Sequence, residues 1–150
     1  MVIVGRVKSR SSSASSRGGP PGESEIHRLN LQREEKIRRA MDWGPLEPGS
    51  LNLCVDHDVV ASLAELGALI YEPPDEINYP KPYEHIPYVR GGYKYYSATA
   101  TVGYETEKVL VRRAAIKPVP RRIELFAAVN LRRRFQLKDG DEVRLTEIGS

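Results

Sequence analysis

Cysteine is almost missing from this chain of 150 residues: Cys54 stands alone. A single thiol excludes an internal disulfide and a multi-cysteine metal centre. Long apolar runs are missing too. No segment approaches the roughly 20 residues that a membrane-crossing helix needs, and the opening MVIVGRVKSR has no apolar stretch suited to a secretory signal. The expected compartment is therefore the reducing cytoplasm, with no membrane partner. Charge of one sign is not in strong excess, since 23 Lys and Arg face 20 Asp and Glu, formally +3. That balance suits a small anionic ligand or simple solubility, and does not by itself imply nucleic acid. Walker-type phosphate loops, the protein-kinase motif set and a nucleophile elbow are all absent. His27, His57 and His85 show no metal-type spacing.

What is present fits one soluble domain over 1–150, with 40% hydrophobic and 29% charged residues and enough chain to bury a core. Residues 2–8 and 26–31 read as short strands. Between them, SRSSSASSRGGPPGES at 9–24 is a Ser/Gly/Pro-rich internal stretch with too little apolar surface to pack, expected as a flexible loop. Residues 32–42, QREEKIRRAMD, suit a helix with Ile37, Ala40 and Met41 on one face and charges matched to the helix dipole. A second short helix is expected over 58–66, with Asp58 as its cap and Val59, Leu63 and Leu66 inward. Residues 71–88 read as an irregular connection, and a hairpin is expected to turn at Gly91-Gly92. A strand follows over 109–115. Residues 123–129 fit either strand or helix. LRRRF after Asn130 suggests a capped helical turn, and Asp139-Gly140 a tight turn into a closing strand with Val143 and Leu145 inward. At least six short strands with two or three short helices, and no βαβ alternation, describe a mainly β, small six-stranded barrel with short helical insertions.

One strand carries chemistry. In EPGSLNLCVD, Leu51, Leu53 and Val55 alternate with Ser50, Asn52 and Cys54. Ser50 and Asn52 point the same way, roughly 6.5–7 Å apart at their roots. They are either solvated polar positions or two neutral oxygen donors offered to one bound object.

This segment resembles the P-G-T-L-N-L motif of the archaeal CTP-dependent riboflavin kinases, and VNLRRRFQLKDGDEVRL resembles their closing V-N-L-R-x-x-x-x-L-K-D-G-D-x-V motif. The resemblance implies a cradle-loop barrel that transfers a phosphoryl group from CTP to riboflavin, giving FMN and CDP. It implies Mg²⁺ at Ser50 and Asn52, nucleotide contacts at Val129, Asn130, Leu131 and Arg132, and a flavin contact at Glu124. The family's Gly-rich phosphate loop falls on the longer 9–24 stretch, where Gly18, Gly19 and Gly22 stand for its glycines and two prolines remove two amide donors. The family's Thr-containing segment before the flavin Glu has no counterpart in AAIKPVPRR.

The eight tyrosines all fall between 71 and 104, which suits either strand packing or the wall of a flavin pocket. The alternative to an enzyme is a non-catalytic flavin- or nucleotide-binding barrel, or a nucleic-acid-binding one. The pairs Arg38-Arg39, Arg112-Arg113 and Arg121-Arg122, with the run 132–134, would supply phosphate contacts to the last of these. Its modest net charge argues against a dedicated DNA binder.

Overall fold

A computed structural model of the chain describes residues 1–8, 31–47, 50–72, 92–115 and 121–149, the side chains of 31–33 excepted. Among the described residues seven strands are formed: β1 Ile3–Val7, β2 Leu51–Cys54, β3 Ile70–Glu72, β4 Tyr93–Val102, β5 Glu105–Ala114, β6 Arg122–Phe126 and β7 Glu142–Thr146. Three helices accompany them: α1 Leu31–Met41, α2 His57–Ala64 and α3 Leu131–Phe135. Six strands in the order β4-β5-β6-β2-β1-β7 close on themselves because β7 also pairs with β4. Every pairing is antiparallel. β3 adds to the outside of this ring at Tyr93–Tyr95, whereas β7 meets β4 further along, at Thr99–Thr101. The fold is thus a closed six-stranded antiparallel barrel with short helices, as the strand count implied. Closure leaves the six ring strands without a continuous free edge.

Alternation decides what lies inside. Ile3, Val7, Leu51, Leu53, Val109, Val111, Ile123, Leu125, Val143 and Leu145 are buried in one cluster. α2 adds Val60 and Leu63 to it, and α3 adds Leu131 and Phe135. Gly5 marks a close approach within the wall. A Cβ there would come within 3.1 Å of both the Leu53 and Val55 side chains, so β1 and β2 approach this closely only because the position has no side chain.

The 93–102 and 105–114 strands form one long hairpin through Gly103-Tyr104. Gly103 takes a positive φ of 61° at the first central position of the two-residue loop, the place where hairpin turns favour glycine. A tight two-residue hairpin turn is therefore formed here. Gly91 and the arm expected before it lie outside the described residues, as do the loop at 9–24, the glycines at 18, 19 and 22, and the strand expected at 26–31 apart from Leu31, which opens α1 instead.

A second, smaller cluster sits outside the barrel wall. Ile37 of α1 packs with Leu46, Tyr95, Leu110 and Phe126, backed by Met41 and Trp43. α1 ends where Asp42 adopts a left-handed conformation, φ 55°, and the Trp43 N–H donates to the Arg38 carbonyl at 3.0 Å. Of the face expected on this helix, Ile37 is buried, Met41 half-buried and Ala40 exposed. α2 begins one residue earlier than expected. Asp56, not Asp58, holds its cap position, without a side-chain cap bond, and Asp58 lies in the first turn.

Candidate functional site

The ambiguous 123–129 segment is a strand through Phe126, and this settles which way Glu124 faces. Ile123 and Leu125 fill the barrel, so Glu124 points outward with parity opposite to theirs. β2 pairs with β6 so that Leu51 meets Leu125 and Asn52 meets Glu124. On the other side, β5 places Arg112 opposite Glu124, and β4 places Tyr95 opposite Arg112. One row on the outer wall therefore runs Asn52, Glu124, Arg112, Tyr95. Asn52 and Glu124, 72 residues apart in sequence, meet there because β2 and β6 pair in this register.

Glu124 is the hub of the row. Its Oε2 accepts a hydrogen bond from the Ser50 hydroxyl at 3.2 Å and an ion pair from Arg112 Nη2. The Arg112 guanidinium lies over the Tyr93 ring, 4.0 Å from its centroid, and 5.1 Å from that of Phe126. Arg112 is 2% exposed and Glu124 20%. Burial pulls the guanidinium pKa down, but the attraction of Glu124, aided by Tyr95 and Tyr93, outweighs it and the net displacement is upward. Arg112 therefore stays charged across the ordinary pH range. A buried ion pair of this kind fixes geometry more than it adds stability, since both ions give up hydration to form it.

The Ser50–Glu124 contact bears on the implied metal. A hydroxyl that donates its one hydrogen to a carboxylate keeps lone pairs available as acceptors. Ser50 and Asn52 are both neutral oxygen donors, which suits a hard cation that retains several waters. The residues present thus fit Mg²⁺ shared with phosphate oxygens. Among the described residues no group of three or more His, Cys, Asp and Glu side chains is arranged to hold a metal.

The second motif sits beside this row. Asn130 caps α3: its Oδ1 accepts from the Arg133 N–H at 3.0 Å, and its Nδ2 donates to Glu47 Oε1 at 3.2 Å. A cleft of about 130 Å³ lies between the capped turn and β2. Leu51, Leu125, Val129 and Leu131 line its apolar walls, and Glu47, Ser50, Asn130 and Arg132 its polar parts. The structure therefore brings Ser50 and the 129–132 turn to one cleft, with Asn52 and Glu124 on the adjoining wall. Arg132 pairs with Asp139 at 2.9 Å.

Several residues were not singled out from sequence for the part they take here. Glu47 had no signal beyond its place before Pro48-Gly49. Arg112 was grouped with Arg113 as a basic surface pair, yet both are buried, on opposite faces of β5. Arg113 donates from Nε to the Tyr96 hydroxyl at 3.0 Å. The signal that separates the two was the alternation of β5, which puts Arg112 on the same face as Leu110. Tyr95 and Tyr96 are core residues, while Tyr71 and Tyr104 are exposed; Tyr79, Tyr83 and Tyr88 lie outside the described residues. Cys54 is exposed on the polar face rather than buried. His57 opens α2 at the surface, and His27 and His85 lie outside the described residues.

No helix among the described residues is long and apolar enough to cross a membrane. No protein-family model matches this sequence, and no curated protein matches it. The fold and the arrangement of the outer wall carry the functional argument.

Proposed function

We propose that this protein is a CTP-dependent riboflavin kinase, transferring the terminal phosphoryl group of CTP to riboflavin to give FMN and CDP. One observation carries the reading. The two stretches that resemble the kinase motifs share a single cleft through Ser50 and Asn130, which lie 80 residues apart in sequence.

Phosphoryl transfer asks the protein to align donor and acceptor and to offset charge, with little covalent work of its own. Mg²⁺, when bound, would neutralise phosphate charge. Ser50 and Asn52 would hold it from the wall of β2, and neither brings a negative charge, so affinity for the ion without nucleotide is expected to be weak. Glu124, fixed by Arg112, would accept a hydrogen bond from the terminal ribityl hydroxyl. The oxygen of that hydroxyl would attack the terminal phosphorus while its proton passes to solvent water, and the bond from that phosphorus to the bridging oxygen breaks so that CDP departs with that oxygen. The Asn130 turn and Arg132 would hold the nucleotide.

Incubation with riboflavin, Mg²⁺ and each nucleoside triphosphate in turn tests this. FMN is expected with CTP. Absence of FMN with every donor, together with measurable flavin binding, would favour the second reading, a non-catalytic flavin-binding barrel. The observation on that side is that Ser50, Glu124 and Arg112 already satisfy one another, as a purely structural network would.

A further inference from the structure

The cleft beside the α3 cap has a mixed charge that constrains what enters it. Glu47 and Arg132 both line it, and Arg132 already pairs with Asp139. A carboxylate on the wall repels a triphosphate tail. The same carboxylate favours a neutral ring that carries N–H donors. The apolar walls from Leu51, Leu125 and Val129 suit the faces of a planar heterocycle. The phosphate tail then runs outward along β2, toward Ser50 and Asn52, where no carboxylate other than the Arg112-paired Glu124 stands in the ladder row.

We infer that Glu47 reads the 4-amino group of a cytosine base in this cleft, and so sets the preference for CTP over UTP. The inference rests on the kinase reading above and adds the residue that would choose the donor. Cytosine and uracil differ at position 4, where one offers an N–H donor and the other a carbonyl acceptor. A carboxylate can only accept, so it pairs with cytosine and opposes uracil. Asn130 holds Glu47 in place through its Nδ2, at 3.2 Å. The second hydrogen on that nitrogen remains to meet the ring acceptors N3 or O2, which complement the same edge. Discrimination comes from both sides: one pairing gained, and one acceptor set against another acceptor.

The test is calorimetric binding of CDP and of UDP, each with Mg²⁺, to the full chain and to Glu47→Gln. An amide both donates and accepts, so it serves either base. The unaltered protein is expected to favour CDP by roughly 5- to 150-fold, the span of one good side chain–base pairing. Glu47→Gln is expected to bring the two within about threefold, by strengthening UDP as well as weakening CDP. Glu47→Ala, measured beside it with a thermal melt of each variant, removes the carboxylate without supplying a donor; the preference is expected to fall there too. Preference for CDP that persists in both variants would overturn the inference alone. Equal binding of CDP and UDP by the unaltered protein would also overturn it, and leaves FMN formation to judge the kinase reading. Failure of the unaltered protein to bind either nucleotide would overturn both.

Discussion

The inner and outer faces of the β2–β6–β5 wall are built from the same strands and follow different rules. Inside, Leu51, Leu53, Ile123, Leu125 and Val111 pack into one buried apolar cluster. Outside, two halves lie next to each other: an apolar one under α1, formed by Leu110, Phe126 and Tyr95 against Ile37, and a polar one along Asn52, Glu124 and Arg112. Arg112 joins the two halves, because its guanidinium stacks on Tyr93 and near Phe126 while its charge meets Glu124. The inside supplies stability without specificity of position. The outside holds a charged group at a fixed place by covering its partner with aromatic rings.

Substitutions separate the two faces. The largest stability loss is expected inside: Leu53→Ala should cost about 2–5 kcal/mol in urea unfolding, the range for a fully buried leucine. A loss under about 1 kcal/mol would mean that the barrel interior can collapse around the gap. Outside, Arg112→Met leaves the Glu124 carboxylate without its cation. The expected cost is about 2–3 kcal/mol, below that of a fully buried pair because Glu124 is 20% exposed. The double variant Arg112→Met/Glu124→Gln should recover most of that loss while still failing to make FMN. Equal losses in single and double variants would show that packing on Tyr93, not charge, is what Arg112 contributes. Since Arg112 stays charged, its side of the pair adds no pH dependence: a raised value stabilises at every pH below the unfolded one, which lies above the working range. The smallest effect belongs to the turn. Losing the Asn130 cap in Asn130→Ala should cost about 1 kcal/mol in the same unfolding experiment.

The inner face was legible from sequence because alternation with period two is a one-strand property. Leu51, Leu53 and Val55 declare their direction without reference to any partner. The Asn130 cap and the Lys138–Asp141 turn were legible for the same local reason; the Lys138 N–H donates to Asp141 at 2.7 Å and Gly140 takes a positive φ. The outer row was half legible. Ser50 and Asn52 stood out as a same-facing pair on one strand and took their role, with Glu124, from the resemblance, but their meeting is a matter of register between β2 and β6, which no single strand encodes. Arg112 was invisible as a partner because a charged residue in a strand reads as solvated until the element covering it is known, and Glu47 because a single carboxylate in a connection carries no periodic pattern. The long hairpin through Gly103 was not singled out because one glycine before a tyrosine is a weaker turn signal than Gly91-Gly92, whose own turn lies outside the described residues.

The central claim is that the outer face of β2 is where nucleotide and flavin meet, and two positions on that face test it directly. Asn52 and Cys54 share parity and lie two residues apart on the same short strand. FMN formation from CTP and riboflavin should be measured for Asn52→Ala and Cys54→Ala, alongside their melting temperatures. The account expects Asn52→Ala to lose at least about tenfold in rate, as loss of a metal contact does, with Cys54→Ala close to the unaltered protein and both folded. Undiminished FMN formation by a folded Asn52→Ala would contradict it.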